Sequence, residues 1–109
     1  MSIARIWSGR AATAEDAAGY QRYFREEVTP HLQEIPGFLG ARLMRRDFDE
    51  RIEFTVMTLW ESMEAVRAFA GSSPEVAVVA PAARALLGDF DRFVSHHETV
   101  FEAAGRSGL

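Results

Sequence analysis

The hydrophobic and polar positions in the first third of the chain predict a strand followed by a helix. Residues 3–9 are rich in β-branched and aromatic side chains and end on glycine, which is typical of a short strand. Thr13 predicts a helix N-cap, because acidic residues follow it and apolar residues recur every three or four positions over 17–35. Pro30 falls inside this pattern, so we expect a kink or a restart there, with Thr29 as a new cap.

The middle of the chain predicts an antiparallel hairpin. Residues 38–46 and 51–60 have the composition of strands, and the connection between them is short. Successive strand residues point to opposite faces, so one side of the second strand is expected to face the core. That side carries Ile52, Phe54, Val56, Thr58 and Trp60.

The last third of the chain predicts a helical region and a final strand. A helix is expected from residue 61 to Gly71, and a further helical stretch after Ser73, which resembles an N-cap followed by proline. Pro81 interrupts this stretch, and a last strand is expected over residues 89–101. The order strand, helix, hairpin, helical region, strand is that of an α+β, ferredoxin-like split βαβ domain with a four-stranded antiparallel sheet.

One face of such a sheet is left without helices. Its apolar residues are expected to include Ala41, Leu43 and Met57 or Leu59. A contiguous apolar face on a small monomer usually marks a protein interface, so we expect a homodimer in which two sheets face one another. Residues 1–101 are predicted to form a single domain and residues 102–109 a flexible tail.

Composition excludes several kinds of chemistry. The 109 residues correspond to one domain, and 48% hydrophobic residues suffice for one core. The sequence contains no Cys, Lys or Asn, so thiolate nucleophiles, disulfides, iron–sulfur clusters and lysine Schiff bases are excluded. A net charge of −4 gives no electrostatic basis for binding nucleic acid or anionic lipid. No signal peptide or membrane span is recognisable, and we expect a cytoplasmic protein.

Two segments resemble the antibiotic biosynthesis monooxygenase family: PGFLG at residues 36–40 and TLWESMEA at residues 58–65. The resemblance extends over roughly residues 3–100 and implies a dimeric α+β barrel. In its monooxygenase branch it implies oxidation of electron-rich phenols by O₂ with no cofactor, neither metal nor flavin. The substrate then supplies the electrons, and the protein supplies a dry pocket and hydrogen bonds to a phenolate.

The resemblance also implies site residues. Family members use an Asn, a Trp and in some cases an Arg for this chemistry. Trp60 matches the family Trp, whereas the Asn has no counterpart because this sequence contains none. Arg42 and Arg67 are the candidate phenolate-stabilising cations, chosen by their chemistry rather than by alignment.

The haem-degrading branch of the family has further requirements. It needs an Asn on the first strand and a His on the helix that follows the Trp. The first strand here has no Asn, and no histidine lies on the expected helix after Trp60. The histidines of the chain are His31, His96 and His97. Haem binding is therefore disfavoured.

The remaining candidates are aromatic residues and a histidine pair. His96 and His97 point to opposite faces of a strand and cannot chelate one metal together. His96 is the preferred general base, because members of this group often carry a His at the matching place. Trp7, Tyr20 and Phe24 are candidate substrate-binding residues, although core packing, or interface packing for Trp7, is the favoured explanation of each.

Two functional hypotheses follow, with haem binding as a third, disfavoured one. The first is a cofactor-independent monooxygenase acting on a small aromatic or polyketide-like compound, with Trp60 orienting the substrate, an Arg stabilising the phenolate and His96 as base. The second is a non-catalytic, ligand-binding or stress-associated dimer of the same fold. A cavity between helices and sheet that touches Trp60 and His96 and has a polar mouth favours the first, and a filled interior removes the ground for both.

Overall fold

The structure is a computed structural model that describes residues 2–106. The strands are β1 (Ile3–Ala11), β2 (Phe38–Phe48), β3 (Arg51–Trp60), β4 (Asp89–Phe90) and β5 (Ser95–Glu98). The helices are α1 (Ala14–Tyr23), α2 (Thr29–Gln33), α3 (Met63–Ala70) and α4 (Pro81–Leu86), with a π-helical turn at Phe24–Val28 between α1 and α2. Within residues 2–106, no helix is both long and apolar enough to span a membrane.

The strands form one antiparallel sheet. β3 lies between β2 and β1, and the other edge of β1 pairs with both β4 and β5. β4 and β5 therefore act as one interrupted fourth strand, and the predicted ferredoxin-like α+β fold is confirmed. Residues 102–106 form no helix or strand and are exposed, and the rest of the expected tail lies outside the described residues.

Two local features fix the hairpin and its entrance. Asp49 and Glu50 both have positive φ (48° and 63°), which is the conformation of a two-residue type I′ turn. β2 consequently extends to Phe48, two residues beyond the predicted end. Gly37 has φ of 89°, and a Cβ there would lie 2.6 Å from the Cβ of Ala65. Glycine thus allows the turn before β2 to pack closely against α3.

The helix after β1 begins as predicted but passes Pro30 differently. The Thr13 Oγ1 accepts a hydrogen bond from the Asp16 N–H at 3.0 Å. The expectation that Thr29 caps a new helix is wrong, because the Thr29 N–H and hydroxyl both donate to the Phe24 carbonyl. This wider turn lets α2 begin at Thr29 without a break in the chain of helical residues.

The segment after α3 is not helical. α3 is capped by the Ser62 Oγ and ends at Gly71, as predicted. The predicted helix after Ser73 is wrong, because the backbone there pairs with residues 92–94 instead, and α4 begins only at Pro81. The carbonyls of Pro74 and Val76 also accept hydrogen bonds from the Arg5 side chain, which a helix would not permit.

The same pairing interrupts the last strand, which was predicted to be continuous over residues 89–101. Residues 92–94 leave β1, and the Val94 N–H donates to the Glu75 carbonyl while the Arg92 carbonyl accepts from the Ala77 N–H. The strand resumes at β5, where Arg5 pairs with His96.

The helices cover the sheet face that carries Arg5, Trp7 and Val56. The expectation that Ala41 and Leu43 belong to the open face is wrong, because they pair with Thr58 and Val56 and share their side of the sheet. The register shift at the start of β2 reverses the side expected for its residues. The open face instead carries Ala4, Ile6, Gly40, Arg42, Met44, Met57 and Leu59.

Candidate functional site

A cavity of about 450 Å³ lies between the covered face of the sheet and the helices. Aromatic side chains form much of its wall: Trp7, Tyr20, Tyr23, Phe24 and Phe69. Aliphatic side chains come from the π-helical turn, α2, β3, the segment before α4, α4 itself and the interruption of the last strand: Val28, Leu32, Val56, Val78, Val79, Ala80, Ala83 and Val94. The polar lining residues are Arg5, Glu27, His31 and Thr58. A space of this size and lining suits a small aromatic molecule.

The π-helical turn contributes directly to the wall. Phe24 is buried, while Glu27 and Val28 also line the cavity, and His31 lies one helical turn beyond Glu27. One extra residue in the turn rotates the side chains that follow it relative to α1. The turn therefore brings both parts of the helix against the same cavity.

Arg5 is the charged group inside the cavity wall. Its side chain is on β1, and the residue is only 5% exposed. Nη1 donates to the Pro74 carbonyl and to the His96 Nε2 (2.9 Å), and Nη2 donates to the Val76 carbonyl at 3.2 Å. The guanidinium carbon also lies 5.6 Å from the ring centroid of Phe69. Burial lowers the pKa of Arg5, yet an arginine remains charged in proteins.

His96 lies behind Arg5 rather than in the cavity lining. Because its Nε2 accepts the Arg5 hydrogen bond, the ring is neutral with its proton on Nδ1. The pKa of His96 is lowered by burial and by the positive charge of Arg5, against a smaller opposing effect of Glu75. His96 is thus arranged to hold Arg5 in place.

Trp60 is a core residue that supports the cavity from outside. It is fully buried, and its indole N–H donates to the Thr58 Oγ1 at 2.8 Å. Its ring stacks on Phe69 with centroids 5.4 Å apart and meets Phe38 edge-on. Trp60 therefore contacts two residues that line the cavity, Thr58 and Phe69, without lining it itself.

Three of the residues expected to bind substrate come together in the cavity. Trp7, Tyr20 and Phe24 all line it, and the Tyr20 and Phe24 ring centroids lie 6.3 Å apart. Burial, with a smaller effect of Tyr23, raises the pKa of Tyr20 well above its ordinary value, so its hydroxyl stays protonated. Their role in binding a substrate stays a prediction.

Other candidates lie elsewhere. Arg42 is on the open face of the sheet, paired with Met57, and Arg67 is exposed on α3. His97 is on the open face and bonds to the Ser95 hydroxyl.

Sequence reasoning missed Arg5, Thr58 and His31 as cavity residues. A charged residue at an inward position between Ile3 and Trp7 was the available signal for Arg5.

Solved structures share this fold over nearly the whole chain. The haem-degrading protein MhuD from Mycobacterium tuberculosis, with two haems bound in its active site, is 23% identical, with 94% of this chain and 99% of that chain covered and a TM-score of 0.64. A mutant of MhuD with two manganese protoporphyrin IX molecules per active site is 27% identical, with the same coverage and a TM-score of 0.63.

Oxygenases are similar to the chain as well. SnoaB, a cofactor-independent oxygenase from Streptomyces nogalater, is 17% identical over 93% of this chain and 95% of its own, with a TM-score of 0.62. A monooxygenase from Streptomyces coelicolor in complex with nanaomycin D is 14% identical over 95% and 92%, with a TM-score of 0.62. No curated protein matches the sequence.

Three lining residues of the cavity are of the types that can ligate haem iron: Tyr20, Tyr23 and His31. Haem iron is held by side chains such as His, Cys, Met or Tyr. Of the described lining residues, Tyr20 is kept protonated by burial, Tyr23 packs against it within the aromatic wall, and His31 is exposed at the helix surface. Neither tyrosine is a free ligand, whereas His31 lines the cavity, so it stays a prediction that haem binding is disfavoured.

The sequence itself matches one family model. The model of the antibiotic biosynthesis monooxygenases covers residues 10–85, which is well over half of the chain and includes the end of β1, the complete hairpin, α1 to α3 and all of α4 except its last residue. The chain belongs to the antibiotic biosynthesis monooxygenase family.

Proposed function

We propose that this protein is a cofactor-independent monooxygenase that acts on a small aromatic or polyketide-like compound. The observation that carries the proposal is the cavity of about 450 Å³, with five aromatic side chains in its wall and few polar groups. Such a wall stacks against planar rings and keeps water away from the reacting carbon. The oxygenases of similar fold give the reaction type.

The proposed reaction needs no bound redox group. An electron-rich aromatic substrate with an activated methylene loses a proton and transfers electrons to O₂. One oxygen atom becomes the new carbonyl oxygen, the other leaves as water, and the methylene carbon supplies all four electrons. The protein contributes orientation, exclusion of water and stabilisation of the charged intermediate.

Trp60 and His96, which were predicted to act in catalysis, do not line the cavity and act in this proposal through residues that do. Trp60 fixes Thr58 and Phe69, which line the cavity, and His96 fixes Arg5. Both act as positioning residues. Arg42 has no part in it, since it lies on the opposite face of the sheet.

The test is oxygen consumption by the purified protein with a panel of hydroxylated anthrones and naphthols. We expect uptake of one O₂ per product with at least one compound. In the Ala83→Phe variant the new ring occupies the cavity, so kcat/KM is expected to fall by about tenfold or more, since small displacements of a substrate have costs of this order.

Ala82→Phe is the matched control, because Ala82 is exposed on the same helix and does not line the cavity. Uptake that both variants reduce equally would show that the reaction does not occur in this cavity. Absence of uptake with every compound would overturn the monooxygenase proposal in favour of a ligand-binding protein. A Soret shift on mixing with hemin would instead point to haem.

We also propose that two copies of the chain pair through the open face of the sheet. This face carries half-buried Ile6, Met57 and Leu59, with Met44 44% exposed beside them. Sedimentation equilibrium is expected to give twice the mass of one chain, and Met57→Glu to give a monomer, because the charge would be buried between two sheets. A monomeric unmodified protein would contradict the pairing. A cytoplasmic location stays a prediction.

A further inference from the structure

We infer that Arg5 is a carboxylate anchor and that the ligand of the cavity is an aromatic compound carrying a carboxylate group. The inference deepens the proposed function and rests on it in taking the same cavity as the ligand site. It names the chemical class of the ligand and the side chain that selects it.

Arg5 places a positive charge in a buried position. The residue is only 5% exposed to solvent, and its guanidinium carries a positive charge. Within residues 2–106, no carboxylate forms an ion pair with it. A buried charge without a counter-charge costs several kcal/mol unless other groups compensate. Here the compensation comes from two carbonyls, an imidazole and an aromatic ring, all of them neutral.

Two N–H groups of the Arg5 guanidinium make no hydrogen bond to the described residues. A guanidinium has five N–H groups, and the hydrogen bonds of the described residues occupy both of those on Nη1 and one on Nη2. One N–H on Nε and one on Nη2 are left. These nitrogens are neighbours, and together they present the two parallel donors that bind both oxygens of a carboxylate.

Hydrogen bonds to neighbouring residues hold the Arg5 side chain in place. His96 accepts from Nη1, and the carbonyls of Pro74 and Val76 hold the end of the guanidinium. A donor pair that is already fixed loses little conformational entropy when the ligand binds. Trp7 and Phe69 line the cavity together with Arg5, so a ring attached to the carboxylate has aromatic surface to contact.

The other charged groups near the site do not replace the ligand. Glu27 lines the cavity but is exposed and makes no ion pair with Arg5. Glu75 affects His96 and is exposed as well. Neither carboxylate therefore occupies the place of a bound carboxylate on the guanidinium.

The first experiment compares two ligands on the unmodified protein by calorimetry at pH 7.5. 2-Naphthoate carries the carboxylate, and 2-naphthalenemethanol is a neutral molecule of similar size. We expect 2-naphthoate to bind about 10- to 100-fold more tightly, the effect of charge-assisted hydrogen bonds. Equal affinity, tighter binding of the alcohol, or no binding of either compound would overturn the inference.

The second experiment changes Arg5. In Arg5→Met the stem is kept and the charge removed, and the preference for 2-naphthoate over the alcohol is expected to disappear. Arg22→Met is the matched control, since Arg22 is exposed on α1 and outside the cavity, and it is expected to bind like the unmodified protein. A folded Arg5→Met variant that keeps the preference contradicts the assignment.

Arg5→Lys covers the case in which Arg5→Met does not fold. Lysine keeps the charge but lacks the paired donors, so 2-naphthoate is expected to bind several-fold more weakly while the affinity for the alcohol is unchanged. Unchanged affinity for 2-naphthoate would overturn the inference. A preference for the carboxylate ligand without oxygen uptake would support Arg5 as a carboxylate anchor and contradict the monooxygenase proposal. Oxygen uptake without a preference for the carboxylate ligand would support the monooxygenase proposal and contradict the role of Arg5 as a carboxylate anchor.

Discussion

Phe54→Ala is expected to lower the free energy of unfolding by about 3–5 kcal/mol. Phe54 is fully buried in the middle of β3, and its ring centroid lies 5.1 Å from that of Tyr20 on α1. Truncation removes the contact between sheet and helix and leaves a void that the surrounding strand cannot close. The loss is a large share of the 5–15 kcal/mol that typically stabilises a domain. Urea unfolding followed by circular dichroism measures it.

Phe93→Ala is the control for this measurement, because Phe93 is the same residue type but 59% exposed. Its stability is expected to change by about 0.5 kcal/mol or less. A Phe54→Ala variant no less stable than Phe93→Ala would show that β3 and α1 do not pack as the structure has them. Since Tyr20 lines the cavity, Phe54→Ala is also expected to weaken ligand binding, whereas Phe93→Ala is not.

Local sequence patterns were sufficient for much of the fold. The alternation along β3 identified its buried side, and the Thr13 cap was visible because a cap involves only neighbouring residues. The order of elements then restricted the topology to the ferredoxin-like arrangement. Each of these features depends on interactions within a few residues or on chain order alone.

Two of the errors involve distant parts of the chain. The segment at Ser73 has the local signal of a helix start, but its backbone pairs with residues 92–94. Ala41 and Leu43 were assigned to the wrong face because the register shift between Phe38 and Gly40 depends on pairing with β3. No local pattern contains either interaction.

The candidate site shows the same division. Tyr20 and Phe24 were identified because aromatic residues on an amphipathic helix face the interior. Arg5 was not, because its significance depends on carbonyls some seventy residues away and on His96 across the sheet. The family resemblance directed attention to Trp60, whose ring is in the core.

Trp60→Ala is expected to lower the free energy of unfolding by about 3–5 kcal/mol, which is the usual cost of truncating a fully buried aromatic side chain. It removes the stacking on Phe69 and the edge contact with Phe38, and it leaves the buried Thr58 hydroxyl without the indole donor. Thermal or urea unfolding measures the loss. A change below about 1 kcal/mol would contradict the position of Trp60 in the core.

The conservative variant Trp60→Phe separates a structural role from a direct role in binding. A phenyl ring retains part of the packing but cannot donate to Thr58, so a stability loss of about 1–3 kcal/mol is expected. Because Trp60 does not line the cavity, the affinity for an aromatic ligand is expected to change less than threefold. A large loss of affinity in a variant of nearly unchanged stability would show that the indole contacts the ligand.

A double-mutant cycle with Thr58→Val tests the hydrogen bond itself. If the indole N–H donates to the Thr58 hydroxyl, the effects of Trp60→Phe and Thr58→Val on stability are not additive, and the coupling is expected to be about 0.5–1.5 kcal/mol. Additive effects would mean that the two side chains act independently. Coupling in stability together with unchanged ligand affinity would establish that Trp60 supports the cavity wall through its hydrogen bond to Thr58. The Trp of the family motif would then act through Thr58 in this protein.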